Sequence, residues 1–159
     1  MGTRLWTGDS QLSDVRIEDA RVGDLGEVSG LLQANELGAW RRGEQDAELL
    51  VARDRDGRLV GCGALVYCGD LGLLRSVAVA AELRRTGVGR ALVAALLELP
   101  RARSLVAVYL LTATAAGFFA RLGFAPVERE EVPAAIRSTE QYRTECPASA
   151  VVMRRDATA

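Results

Sequence analysis

The segment Arg84-Arg85-Thr86-Gly87-Val88-Gly89-Arg90 carries the residue types that hold a pyrophosphate. It lies between a strand-like run and a helix-like run. Gly87 and Gly89 let the backbone approach a ligand closely and take conformations closed to other residues. The first N–H groups of the following helix lack intrahelical partners and carry the positive end of its dipole. Phosphate oxygens satisfy both conditions, and Arg84, Arg85 and Arg90 add charge. A lone Gly-x-Gly is equally a strand-to-helix turn that needs clearance. The segment is not a Walker loop, because no Gly-Lys-Ser/Thr follows, nor a Rossmann fingerprint, because the third glycine is missing.

The residues that are absent narrow the chemistry further. Among 159 residues there is no histidine, which excludes Ser-His-Asp and Cys-His nucleophiles and His-ligated metal sites. A general base must be a carboxylate, Tyr, Cys or a water held by backbone groups. Glu82 and Glu131 are the candidate carboxylates, and Glu82 serves equally to start the turn before the loop. Cys62, Cys68 and Cys146 make an odd count without a CxxC pair, which fits a reducing, cytoplasmic compartment. Cys62 and Cys68 sit six residues apart on one expected strand. At ~3.3 Å per residue they are roughly 20 Å apart, too far to share an ion. No metal is expected.

The formal net charge of −1 gives no global field for nucleic acid or an anionic membrane. No run reaches the ~18 apolar residues of a membrane span, and the N-terminus lacks a secretory pattern. With 49% hydrophobic and 26% charged residues, the chain fits one globular domain with a real core.

The elements that must position the loop follow from periodicity. Residues 1–13 are polar and aperiodic and read as a flexible tail, leaving 14–155 as the domain. Val15–Ile17 is a short first strand. Asp24 and Glu27 form a capping box ahead of Leu25, Val28, Leu31, Leu32 and Asn35 at helical spacing, with Gly38 as the helix stop. Leu49–Ala52 and Leu59–Tyr67 flank the turn signal Asp54-Arg55-Asp56-Gly57. In the alternating run Leu71–Ala80, the residues Leu71, Leu73, Arg75, Val77 and Val79 share one face. Gly87–Leu99 is helical, Leu105–Leu111 a buried strand, and Ala115–Leu122 a helix closed by Gly123. Phe124–Val127 and Ser149–Met153 supply the last strands. The order predicts one α/β domain with a mixed, mostly antiparallel sheet of six to seven strands flanked by helices.

Val77-Ala78-Val79 followed by Arg84-x-x-Gly87-x-Gly89 resembles the R/Q-x-x-G-x-G/A signature of the GNAT acetyltransferases. Phe118-Phe119-Ala120-Arg121-Leu122-Gly123-Phe124 resembles the family's second landmark, in the same order and at similar spacing. Leu73–Val79, Val132–Arg137 and Cys146–Ala150 are also similar to N-acetyltransferases associated with arsenic resistance. More distantly, Leu110–Phe119 is similar to the acetyltransferase domain of N-acetylglutamate synthase.

The resemblance implies an acetyl-CoA co-substrate and direct transfer to the amine of a small molecule. It places the pyrophosphate on Arg84, Arg85, Thr86, Gly87, Val88, Gly89 and Arg90, and the pantetheine arm along Val77, Ala78 and Val79 of a bulged strand. Thr112 stands where relatives hold pantetheine with an Asn, and Thr114 follows. Either hydroxyl can cap the next helix, Thr114 being the safer choice. Phe118 and Phe119 fall in the same contact region, but Phe119 replaces a proton-donating Tyr. Arg75 replaces a basic Glu and suits either an anionic acceptor group or an acidic neighbour at the sheet surface. Ser76, Arg137, Cys146 and Ser149 complete the acceptor candidates, Arg137 being equally a solvated helix residue. Two other readings remain: a CoA-binding sensor with little catalysis, and a protein N-terminal acetyltransferase. Dimers are common in the family, and the sequence shows no interface of its own.

Overall fold

The alternating stretches around Asp54–Gly57 close into a hairpin, as the Asp-rich turn requires. In the computed structural model, which describes residues 14–38, 40, 46–145 and 149–156, β2 (Ala47–Arg53) returns as β3 (Leu59–Cys68). The Asp54 carboxylate accepts the N–H groups of Asp56 and Arg58 at 3.0 and 2.9 Å. A short polar side chain that bonds the backbone ahead of it fixes such a turn, and Gly57 completes it at φ +82°. Ahead of the hairpin lie β1 (Arg16–Asp19) and α1 (Leu25–Ala34). After it come β4 (Leu71–Val79), α2 (Val88–Leu97), β5 (Ala107–Thr112) and α3 (Ala116–Ala120). The remainder is β6 (Ala125–Pro126), α4 (Ala134–Arg137) and β7 (Val151–Asp156).

The strands form one sheet in the order β1-β2-β3-β4-β5-β7-β6. β4 and β5 run parallel, whereas β1–β2, β5–β7 and β6–β7 are antiparallel. This is the mixed α/β sheet expected, with seven strands. The residues divide into two compact units, and β3 and β4 each contribute to both. One runs up to Leu65 and includes Ser76–Glu98; the other holds Val66–Arg75 and the chain from Leu99.

In the first unit both faces of β3 are covered. Cys62 joins Val28 and Leu32 of α1, Val51 and Ala78 in a buried cluster. Gly61 and Gly63 lie under α2, where an added Cβ on Gly61 would come 2.9 Å from Leu92 and 3.2 Å from Val88. The missing side chains let α2 approach the sheet closely, which sets where its N-terminus sits. Arg53 of β2 ties this unit together by a polar network. Its Nε donates to Glu18 at 2.8 Å, its Nη2 to Asp24, and its Nη1 to the Gly57 carbonyl at 3.2 Å.

In the second unit Leu73, Ala107, Tyr109, Val132, Ile136 and Val152 form the core. The aromatic landmark has a structural cause. Gly123 takes φ +92°, the Phe124 N–H bonds the Phe119 carbonyl and the Gly123 N–H bonds that of Ala120. This six-to-one, five-to-two pattern is a Schellman motif. Its usual apolar contact is made here by Phe119 and Phe124, whose rings sit edge-on at 5.9 Å.

Helix α1 begins at Leu25 directly after Asp24, as expected, but the bonding at both of its ends differs. Asp24 makes no side-chain cap to α1. One of its carboxylate oxygens instead accepts the Arg21 N–H at 2.8 Å and the other pairs with Arg53 in a charge-assisted hydrogen bond. The helix also stops before Gly38. Glu36 takes φ +58°, with Leu37 N–H bonded to Leu32 and Glu36 N–H to Gln33, so a Schellman motif forms on a glutamate. The N-terminal tail 1–13 lies outside the described residues.

Candidate active site

The strand ahead of the loop is broken by a single residue. Ser76 sits in β4 with φ +58°, so the alternation expected from Leu71 to Val79 does not run through. Leu74, Arg75 and Ser76 are all buried in succession. One residue in the left-handed region within a strand bends it and disrupts its pairing. The ladder with β5 runs from Leu71↔Ala107 to Leu74↔Leu110, two residues short of Ser76. On the other side, Ala80 N–H bonds the Val60 carbonyl at 2.8 Å. Strand backbone groups alternate in direction, so Ala78 and Ala80 turn theirs toward β3, and Val77 and Val79 turn theirs away from it.

The bulge also engages a cysteine. The Cys62 thiol donates to the Ser76 carbonyl at 3.2 Å. Burial pushes this thiol up to about 12, only partly opposed by a backbone hydrogen bond at Ala78. Cys62 is therefore a core residue and not a nucleophile. Cys68 packs against the core of the second unit, Cys146 lies outside the described residues, and among the described residues no cluster suits a metal.

The Arg84–Arg90 loop follows a one-turn 3-10 helix, Ala81–Leu83. Two of its residues are left-handed, Arg85 at φ +67° and Gly87 at φ +97°. Thr86 holds the turn by hydrogen-bonding its hydroxyl to the Leu83 carbonyl. Gly87 is the N-cap of α2, and no side chain caps that end. The first intrahelical bond runs from Ala91 to the Gly87 carbonyl at 3.0 Å. The N–H groups of Val88, Gly89 and Arg90 therefore precede the ladder, at the positive end of a ten-residue helix without an acidic residue in its first turn. Arg84, Arg85 and Arg90 are exposed around it. The geometry is that of an anion site.

The other expected residues fall as follows. Glu82 is in the 3-10 turn, exposed and ion-paired with Arg58. Arg75 is only 6% exposed, so it sits buried within β4 and not out at the sheet surface. Thr112, not Thr114, supports the start of α3: its hydroxyl accepts the Ala115 N–H at 2.9 Å. Phe118 and Phe119 meet edge-on at 5.0 Å, and Phe119 is core. Glu131 is exposed in the 3-10 turn Arg129–Glu131, Arg137 exposed at the end of α4, and Ser149 exposed before β7. The first unit thus brings Val77–Val79 and the whole loop together, while Thr112, Phe118, Phe119, Glu131, Arg137 and Ser149 belong to the second.

Some contributors escaped the sequence. Gly61 and Gly63 stand under α2, and a Gly-x-Gly inside a strand signals such close approach. Asn35 accepts a hydrogen bond from Arg84 at 2.8 Å. Arg129 donates to the Ala150 carbonyl at 2.8 Å, just after Ser149. Neither of these contacts has a local sequence pattern.

The model of the acetyltransferase (GNAT) domain matches residues 45–126, which include the bulged strand, the loop and the aromatic landmark. The chain belongs to the GNAT acetyltransferase family. An amino-acid acetyltransferase of Mycobacterium tuberculosis is 42% identical over 92 residues, 56% of this chain and 52% of that protein. The chain thus spans about half the length of that curated relative. Rv2747 of Mycobacterium tuberculosis, solved with CoA and NLQ, is 28% identical with a TM-score of 0.74, covering 88% of this chain and 98% of that one. N-acetylglutamate synthase of Neisseria gonorrhoeae, solved with CoA and N-acetyl-glutamate, shares the fold at 22% identity. Its TM-score is 0.73 over 90% of this chain and 35% of that one.

Proposed function

We propose that this chain is an acetyl-CoA-dependent N-acetyltransferase acting on the amine of a small, amino-acid-like molecule with an anionic group. The observation that carries the donor half is the uncapped N-terminus of α2, framed by Gly87, Gly89 and three exposed arginines. In this reading the pyrophosphate of CoA takes the N–H groups of Val88, Gly89 and Arg90. The pantetheine arm pairs as an added strand with the backbone of Val77 and Val79. The relatives solved with CoA and the amino-acid acetyltransferase relative support it.

The acetyl group then passes directly from sulfur to nitrogen. The amine attacks the thioester carbon, the C–S bond breaks, the nitrogen loses a proton and the CoA thiolate gains one. Phe119 has no proton to give, so water protonates the thiolate. Glu82 and Glu131 are the carboxylates to test as bases. With Glu82 held by Arg58, a water relay to solvent is the simpler route. Arg75, buried beside the bulge residue Ser76, supplies a fixed positive charge for a carboxylate or oxyanion on the acceptor. Arg137, Ser149 and Cys146 are further acceptor-side candidates. Similarity to the arsenic-associated group adds amino-bearing phosphinic and arsenic compounds to the acceptors worth testing.

The test is to incubate the protein with acetyl-CoA and a panel of amines while following free thiol. Acidic amino acids and amino-bearing oxyanions should release CoA faster than polyamines. Polyamines as best acceptors would overturn the role of Arg75. Tight CoA binding without thiol release for any amine would identify a sensor, and release only with peptides an N-terminal acetyltransferase. Light scattering of the purified protein tests whether it forms the dimer common in the family.

A further inference from the structure

We propose that Asn35, at the C-terminal end of α1, is a positioning residue for the donor: it orients Arg84 toward the pyrophosphate. The inference rests on the pyrophosphate reading of the loop. Arg84 is exposed at the start of a turn whose next residue is left-handed, and a free arginine there samples many rotamers. Its guanidinium instead donates to Asn35 Oδ1 at 2.8 Å. That oxygen is itself fixed, because the Asn35 amide donates through Nδ2 to the Leu31 carbonyl at 2.8 Å. The amide is thereby set with its acceptor facing Arg84. The α1 backbone turns sharply here, with the Asn35 N–H shared by the Leu31 and Leu32 carbonyls.

Three features make this a positioning device and not a competing partner. Asn35 is neutral, so it leaves the charge of Arg84 intact for a phosphate. It takes a hydrogen bond from one terminal nitrogen, and a guanidinium carries five N–H donors. The C-terminal end of α1 carries the negative pole of its dipole, which favours a guanidinium at that place. Pre-orienting a long side chain lowers the rotamer entropy lost when the ligand binds.

The experiment compares CoA with S-acetyl-pantetheine, a donor without the pyrophosphate, in wild type, Asn35→Ala, Arg84→Ala and the double variant. Asn35→Ala should weaken CoA binding about three- to tenfold, the range of one hydrogen bond. It should leave turnover of acetyl-pantetheine unchanged. The double variant should bind CoA no worse than Arg84→Ala alone, because Asn35 acts only through Arg84. Losses that add in the double variant, an equal loss with acetyl-pantetheine, or no loss in Asn35→Ala overturn the inference. If Arg84→Ala itself binds CoA normally, it is the pyrophosphate role of Arg84 that fails, and the inference with it.

Discussion

Arg75 is the residue on which acceptor choice turns in our reading. It is buried on β4 next to a residue in left-handed conformation, and a charge held there is costly unless oxygen atoms face it. Arg75→Met keeps length and apolar contact while removing the charge. It should raise KM for an anionic acceptor about 10–100-fold, the worth of a charge-assisted hydrogen bond, with little change for a neutral amine; equal effects on both would assign Arg75 to the fold alone. Cys62 makes the opposite kind of prediction. With its thiol pushed up to about 12 by burial, it holds its proton at pH 8. Alkylation of native protein followed by peptide mapping should mark the half-buried Cys68 well before Cys62, and early labelling of Cys62 would contradict its packing.

At the scale of elements, the helices are placed by small residues and stopped by special backbone. Gly61→Val would drive a branched side chain into Leu92 and Val88. It should cost about 1–3 kcal/mol in denaturant unfolding and weaken CoA binding by displacing α2. Glu36 closes α1 at φ +58° while exposed, where glycine fits without strain. Glu36→Gly should raise stability by about 0.5–1 kcal/mol in thermal unfolding; a drop would mean Glu36 makes a compensating contact. These ends explain what sequence reading recovers. The hairpin at Asp54–Gly57, the Gly123 stop and the Gly87–Gly89 loop are readable because glycine and aspartate act within four residues. The end of α1 is hidden because no glycine marks it, and the bonding of Asp24 because its carboxylate answers to Arg53, 29 residues away. Thr112 and Thr114 are ambiguous for a local reason: both stand just ahead of α3, and only geometry shows that Thr112 accepts the Ala115 N–H.

Across the molecule, the polar network on Arg53 gives stability a pH dependence. Burial alone would raise the Asp24 carboxyl, but the Arg21 N–H and the pairing with Arg53 outweigh it and hold it below its ordinary value. A depressed native pKa contributes stability that is present above the unfolded carboxylate range and is lost as pH falls through the native value. Asp24→Asn should therefore cost about 1–3 kcal/mol at pH 7, and the gap to wild type should narrow steadily as pH falls below about 4; a gap that stays the same from pH 7 down through the acid range would assign the loss to packing. The same sheet that buries this network carries the bulge at Ser76 and seats α2 over its glycines, so the proposed donor site is built from the fold itself. Its acceptor partners are read from single side chains and stand or fall one by one.

The central claim is that the α2 N-terminus holds the CoA pyrophosphate, and calorimetric titration of CoA tests it most directly. Gly87 is a poor probe, since its φ of +97° strains any replacement. Gly89→Glu instead sets a carboxylate at the second residue of α2, where the phosphates should lie. We predict at least about a hundredfold loss of CoA affinity, about 2.7 kcal/mol, with thermal unfolding close to wild type. CoA binding of undiminished strength by Gly89→Glu would contradict the account.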